Sequence, residues 1–281
     1  MHVLLYWGAT VLAVLVAVFT RSCKLIAENC KLGPNDAILL VIAHPDDETM
    51  FFYPLISAAH AAGAQLFLLC LSTGNAYGMG SRREAELHAA CKVLQVPSSH
   101  VRTVDDDRLQ DGMRTSWDTA AVVTHVTAAM QQFKPTMVVT FDNLGVSHHP
   151  NHVAVHHGVR ALQARSSMLG DDFQSVTWLQ LESVATVPKF IGGIAVLSSC
   201  SEVWQPSGSG RRVFVATEFW RAWKAMTRHR SQLVWYRLLF MVASRYTYIN
   251  TLTPLASEAT EPWPSSANIV TAQPRPRVVS Q

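Results

Sequence analysis

Charge is scarce in this chain. Only 15% of its 281 residues are Asp, Glu, Lys or Arg, and they balance to +3. So small a surplus, with its Lys and Arg scattered and no DNA- or RNA-binding motif, excludes an electrostatic nucleic-acid binder. Paired cysteines are missing too. Cys23, Cys30, Cys70, Cys91 and Cys200 show no CxxC and no framework spacing. That sets aside a disulfide scaffold and leaves buried, reduced thiols, as in a domain facing the cytosol. No internal repeat is visible. The hydrophobic content is high at 49%, and roughly 230 residues remain once an apolar N-terminus and a polar tail are set aside, enough for one sizeable domain.

Residues 3–19 (VLLYWGATVLAVLVAVF) form an uncharged apolar run. No basic residue precedes it and no A-x-A-like cleavage site follows, so it reads as a retained membrane anchor rather than a signal peptide. Its length is at the short end for a spanning helix and suits a thin bilayer such as the endoplasmic reticulum. Arg21, Lys24 and Lys31 follow directly, and positive charge on that flank keeps the C-terminal side in the cytosol. The expected order is an anchor at 3–19, a basic linker at 20–36, a catalytic domain at 37–252 and a disordered tail at 253–281, rich in Pro, Ser, Thr and Ala.

Within the domain, Ala37–Ala43 (AILLVIA), Gln65–Ser72 (QLFLLCLS) and Thr136–Phe141 (TMVVTF) are continuous apolar runs. Such runs mark strands buried on both faces. Helical patterns lie between and after them, at 48–62, at 81–94 with Ser81 as N-cap, at 116–133 and at 152–164. Further strand-like runs occupy 176–181 and 213–215. This alternation predicts an α/β, Rossmann-like three-layer fold with a mostly parallel sheet. Its site should lie outside the carboxyl ends of the strands.

Chemistry-bearing residues cluster at two such ends. His44-Pro45-Asp46-Asp47-Glu48 follows the first buried strand. His44 and Asp47, three apart on a tight turn, can reach one ion, and imidazole plus carboxylate is zinc-type ligation. Pro45 stiffens the turn. Asp46 is placed to act as general base on water. After the third strand comes His148-His149-Pro150-Asn151-His152. His152 can complete a two-histidine, one-carboxylate set, and His149 can donate to the oxyanion of a tetrahedral intermediate. His156 and His157 read as supporting or surface histidines, and Asp105, Asp106 and Asp107 as a solvated acidic loop.

These motifs resemble the LmbE-like zinc deacetylases, whose signature pairs an A-H-P-D-D-E turn with a later H-P-D-H. Ala43–Glu48 (AHPDDE) matches the first in full. His149–His152 (HPNH) matches the second with Asn151 in place of Asp. Within that family the chain is most similar to the eukaryotic branch acting on N-acetylglucosaminyl-phosphatidylinositol. That likeness rests on VIAHPDDE, VVTFDNLGVS, HRSQLVWYR and SRYTYIN and runs from about Leu39 to Leu252. The resemblance implies that His44, Asp47 and His152 bind Zn2+, that Asp46 is base and then acid, and that His149 is the electrophile. It implies a substrate of N-acetylglucosamine linked to phosphatidylinositol in the endoplasmic reticulum membrane, hydrolysed to acetate and the glucosamine lipid as the second step of glycosyl-phosphatidylinositol anchor biosynthesis. Asn151 keeps a hydrogen bond but no charge, which leaves the protonation state of His149 open.

Arg83 and Glu86 match an R-x-x-E feature near the family's sugar site, and Asn75 lies in a loop at another strand's carboxyl end. All three are candidate substrate contacts. The segment 219–249 interleaves aromatic and basic residues, a pattern that fits either a membrane interface or helices packed on the sheet. Three other functions stay open: deacetylation of a different N-acetylglucosaminyl conjugate, a non-haem iron oxygenase using the same three ligands, and an inert anchored scaffold. Asp46 beside the ligands speaks for hydrolysis over oxygenation, and retention of every ligand speaks against decay.

Overall fold

The computed structural model describes residues 2–28, 32–203 and 210–255. Its centre is a seven-stranded sheet in the order β3-β2-β1-β4-β5-β7-β6. The strands are β1 (Ala37–Ile42), β2 (Gln65–Cys70), β3 (Val101–Thr103), β4 (Met137–Phe141), β5 (Thr177–Leu181), β6 (Arg212–Val215) and β7 (Ile249–Pro254). β3, β2, β1, β4 and β5 run parallel; β7 is antiparallel to both its neighbours. The helices used below are α1 (His2–Glu28), α2 (Asp47–Met50), α3 (Tyr53–Ala61), α4 (Gly80–Val93), α5 (Thr119–Phe133), α6 (Pro150–Gln163), α7 (Ile194–Val203), α8 (Trp220–Met226) and α9 (Trp235–Ala243).

The apolar strands are buried on both faces, as their composition demands. Ile38, Leu40 and Ile42 of β1 join one core with α3, α4 and α8. Leu39, Val41 and Ala43 join the other with α5 and α6. Alternate residues of one strand thus serve two helical layers. Among the helices of the second layer the approach is close: a Cβ on Gly158 would lie 2.2 Å from a Val122 methyl. The chain winds from β1 out to β2 and later from β4 out to β5, so the order reverses between the adjacent β1 and β4. A crevice opens there at the strands' carboxyl ends. Both histidine motifs emerge into it, one after Ile42 and one after Phe141.

Several expectations are corrected. The helix expected over 48–62 is two, α2 and α3, because Pro54 has no N–H for the carbonyl of Met50 and breaks the ladder. Asn250 of β7 covers the break: its Oδ1 accepts from Leu55 N (3.1 Å) and its Nδ2 donates to Phe51 O (2.7 Å). α4 starts at Gly80 rather than at a Ser81 cap; Asn75 Oδ1 accepts from Gly80 N instead. β7 extends into the stretch expected to be a disordered tail, since Thr253 and Pro254 pair with Gln180 and Leu179. The rest of that tail, from 256, lies outside the described residues. Cys23, Cys70 and Cys91 are buried, as expected, and burial holds the Cys70 and Cys91 thiols well above their ordinary range.

The expected linker at 20–36 is also corrected. α1 continues through it to Glu28, because Cys23 and Ile26 are buried against Ala195 and Val196 of α7, Val215 and Ile249. Among the described residues no helix is long and apolar enough to cross a membrane. Many side chains of the apolar run 3–19 lie outside those residues. The last turns of α1 therefore belong to the folded unit. Ile26→Ala should cost about 2–5 kcal/mol in urea unfolding, whereas Val18→Ala, at an exposed position, should cost far less. Equal effects would separate α1 from the domain.

Candidate active site

The turn after β1 is built around carboxylates that serve the backbone. Asp47 Oδ2 accepts from Ala43 N (3.1 Å) and His44 N (2.8 Å). Only its Oδ1 is left to face outward, 3.3 Å from His152 Nε2. Burial alone would raise the Asp47 pKa, but His152 and His44 overcome it and hold the carboxyl well below its usual range. Asp46 sits at φ 115°, a left-handed conformation that costs a non-glycine residue roughly 1–3 kcal/mol. Glu48 holds it there. Its Oε2 accepts from Asp46 N (3.0 Å), while Oε1 accepts from Thr49 Oγ1 (2.6 Å) and pairs with His229 Nε2 (2.7 Å). Glu48 and His229 are both fully buried.

The loop after β4 is strained in the same way. Gly145, Val146 and His148 all have positive φ, at 54°, 63° and 59°. Asp142 ties the loop down, its carboxylate accepting from Leu144 N, Gly145 N, Ser183 N and Ser183 Oγ. At Gly145 a side chain is excluded, since a Cβ would meet His152 Cβ at 2.8 Å. His152 stacks flat on Phe141, centroids 4.1 Å apart, and its Nδ1–H donates to Gly145 O (3.1 Å). That hydrogen bond leaves the Nε2 lone pair free toward Asp47. His149 is the N-cap of α6, and its Nδ1 accepts from Asn151 N (3.3 Å). Its neutral ring therefore carries its proton on Nε2. Burial, with His44 and His152 alongside, pushes the His149 pKa down to about 4.

Whether a divalent ion fits can be judged from the donors. The imidazoles of His44, His149 and His152 present nitrogens within 4.8 Å of one another. Asp47 Oδ1 and His152 Nε2, 3.3 Å apart, already stand at the spacing of two ligands on one ion with bonds of about 2.0–2.1 Å. His44 Nε2 lies 3.1 Å from Asp111 Oδ1, and its Nδ1 3.8 Å from Asp47 Oδ2. A carboxylate on one imidazole nitrogen is the usual support for a histidine that ligates through the other. Asn151 Nδ2 is 3.0 Å from the same Nε2, while its buried Oδ1 has no partner. A half-turn of the amide sets the oxygen toward Nε2–H, which Asp111 and Asn151 then share. The donors within reach of one ion are nitrogens of His44, His149 and His152, with Asp47 Oδ1 beside His152 Nε2, and a divalent cation fits this set. His149 has one nitrogen committed to the backbone and the other bearing hydrogen.

The candidates for substrate contact separate. Arg83 is at the site: it donates to Pro45 O (2.8 Å) and Gly74 O (3.0 Å), pairs with Asp111 (3.2 Å) and lies 3.6 Å from Asp46 Oδ2. Glu86 turns away, accepting from Ser231 N and Ser231 Oγ. Asn75 is exposed with its side chain on the start of α4. His156 is buried on Phe141 O, a supporting role as expected. Asp106 pairs with Arg108 and His125, away from the cluster. Three residues at or behind the site escaped the sequence reading. Asp111 sits in the loop read only as acidic, His229 had no periodic context, and Arg237, whose guanidinium meets the Asp46 carboxylate, was read as part of an aromatic and basic stripe. The usable signal for Asp111 was its place in the loop after β3, at the same edge of the sheet.

Residues 39–163 match the family described as GlcNAc-PI de-N-acetylase. A probable N-acetylglucosaminyl-phosphatidylinositol de-N-acetylase of Dictyostelium discoideum is 34% identical, over 76% of this chain and 92% of that protein. The N-acetylglucosaminyl-phosphatidylinositol de-N-acetylase of Bos taurus is 38% identical, over 78% and 84%. Among solved structures, the N,N'-diacetylchitobiose deacetylase of Pyrococcus horikoshii shares the fold with a TM-score of 0.57 at 15% identity, over 78% of this chain and 84% of that one.

The buried Glu48–His229 pair generates a prediction. His229→Ala leaves Glu48 charged, buried and without its partner, which should cost about 3–5 kcal/mol in denaturant unfolding. Changing both partners, as Glu48→Gln with His229→Ala, should cost less than the single change. A single variant as stable as the parent would show that the pair supports nothing.

Proposed function

The chain belongs to the N-acetylglucosaminyl-phosphatidylinositol de-N-acetylase family, and from that premise we infer its reaction: hydrolysis of the acetamide of N-acetylglucosaminyl-phosphatidylinositol to acetate and glucosaminyl-phosphatidylinositol. The observation that carries the reading is the convergence of His44, Asp47, His149 and His152 at the crevice between β1 and β4. His44, Asp47 and His152 would hold the metal, which we take to be Zn2+ from their nitrogen and oxygen donors. When bound, the ion supplies a Lewis acid that polarises the acetyl carbonyl and acidifies water.

The remaining steps fall to side chains. Asp46 accepts the proton of the attacking water and returns it to the departing amine, so acid and base are one residue at two times. For this its carboxylate must exchange the Arg237 and Arg83 contacts for water, and substrate entry is the event that can displace them. His149, neutral with hydrogen on Nε2, donates to the carbonyl oxygen as negative charge develops there. Because the pKa of His149 is depressed, that donor state persists through neutral pH. A neutral ring in this role is compatible with Asn151 standing where the family has Asp. Arg83 and Asp111, paired at the rim, are placed to meet hydroxyl or phosphate groups of the substrate.

The test is release of acetate from N-acetylglucosaminyl-phosphatidylinositol by purified protein, abolished by a chelator and restored by Zn2+. Asp46→Asn should keep its metal and lose about 10²–10⁴-fold in turnover. No release with metal in place would refute the reaction. An Asp46→Asn protein that loses its metal would reverse the roles of Asp46 and Asp47.

The apolar run 3–19 would anchor the chain in the endoplasmic reticulum membrane, with Arg21, Lys24 and Lys31 holding the catalytic domain on the cytosolic side. Protease added to intact microsomes should then digest the domain. Full protection until detergent is added would invert the orientation.

A further inference from the structure

α9 presents the wrong face to water. Its inward side is accounted for: Met241 is buried, Phe240 packs on Phe51 and Phe190, and Arg237 reaches Asp46. Its outward side carries Trp235, Leu238, Leu239 and Val242, an i, i+3, i+4, i+7 stripe, with Tyr236 beside it, and all are exposed. Trp235 is 75% and Leu239 57% exposed. Apolar stripes at helical spacing normally face a core, and soluble monomers seldom leave so contiguous a patch in water. The patch continues off the helix. Gly192 N donates to Ala243 O (2.7 Å) at the end of α9, and this brings the exposed Phe190 and Ile194 alongside.

We propose that α9 and the Phe190–Ile194 turn form a docking face that lies in the interfacial layer of a phospholipid bilayer, beside the mouth of the active site. Three observations select a bilayer. The first is charge: from Phe219 to Leu252 the chain has six Lys or Arg and no Asp or Glu. Of these, Arg237 and Arg245 turn into the protein, while Lys224 and Arg230 are exposed on the segment leading into α9, and such cations beside apolar and aromatic side chains match a phosphate layer over acyl chains. The second is continuity: Phe19 of α1 packs on Gly193, 3.4 Å from where a Cβ would stand. α1, with Trp7, Val14, Val16 and Val18 exposed, therefore leaves the domain next to the patch. The third is proximity: through Arg237, α9 touches the residue read as the base, so a lipid whose sugar occupies the site has its acyl chains within reach of this face. The third argument rests on the proposed reaction; the first two do not.

The test uses the full chain in phosphatidylcholine vesicles containing a bromine-labelled phosphatidylcholine, which quenches tryptophans at acyl-chain depth. Trp235 is one of eight tryptophans. Trp235→Phe should remove a measurable share of the quenchable fluorescence, and Trp178→Phe, a buried control, should remove none. An unchanged quenchable fraction in Trp235→Phe overturns the proposal. So does loss of Trp235 quenching as protein per lipid rises, which would mark a second copy on the face. A kinetic arm follows. Leu239→Glu with Val242→Glu alters only exposed positions. It should lower hydrolysis of vesicle-borne N-acetylglucosaminyl-phosphatidylinositol by about tenfold or more and leave a deacylated, soluble analogue unaffected. Equal loss on both substrates would also overturn the docking role. If the unaltered chain hydrolyses neither substrate, the proposed reaction fails while the quenching result still decides the docking face.

Discussion

Glu48 is the group on which the site depends. One carboxylate, buried and shared among Asp46 N, Thr49 Oγ1 and His229 Nε2, keeps Asp46 in a backbone conformation it would not otherwise adopt. Without that hold the turn would relax toward ordinary φ, and Asp46 and Asp47 could not point two ways from adjacent positions. The strain is concentrated where the chemistry is needed, and rigid packing around it makes it tolerable. The second strained loop, 144–149, repeats the arrangement with Asp142 in the role of Glu48.

These two loops meet because of topology. Parallel strands deliver their carboxyl ends to one edge, and the reversal of strand order between β1 and β4 leaves no loop crossing over the gap. Each histidine then has its tautomer set by a different partner. His152 is set by Gly145 O, His149 by Asn151 N and His44 by Asp111. In the proposed reaction this divides labour among similar side chains: two rings would offer lone pairs to the metal, and the third a hydrogen to the carbonyl.

Much of this was legible in the sequence, for identifiable reasons. β1, β2 and β4 announced themselves because strands buried on both faces have no polar residues to hide. Their carboxyl ends located His44, Asp47, His149 and His152 without any contact being known. What was not legible depends on distance along the chain. His229 reaches Glu48 across 181 positions, and Asn250 reaches the α2–α3 break across 195. No local pattern encodes either. β7 was missed because INTLTP mixes polar residues and a proline, as an antiparallel strand away from the centre can. Asn75 and Glu86 were read as substrate contacts from loop position and motif, yet their hydrogen bonds are spent on Gly80 and Ser231. The aromatic and basic stripe was ambiguous for a simple reason. Its residues divide between the two readings: Arg237 and Phe240 face the protein, whereas Trp235 and Leu239 face outward.

The central claim is that His44, Asp47 and His152 hold the metal while His149 serves the reacting carbonyl. It is tested most directly by metal content per chain in Asp47→Ala and His149→Ala proteins, each purified folded and equilibrated with Zn2+. The account predicts that His149→Ala retains one equivalent and Asp47→Ala retains almost none. The opposite result, a three-histidine site indifferent to Asp47, would contradict it.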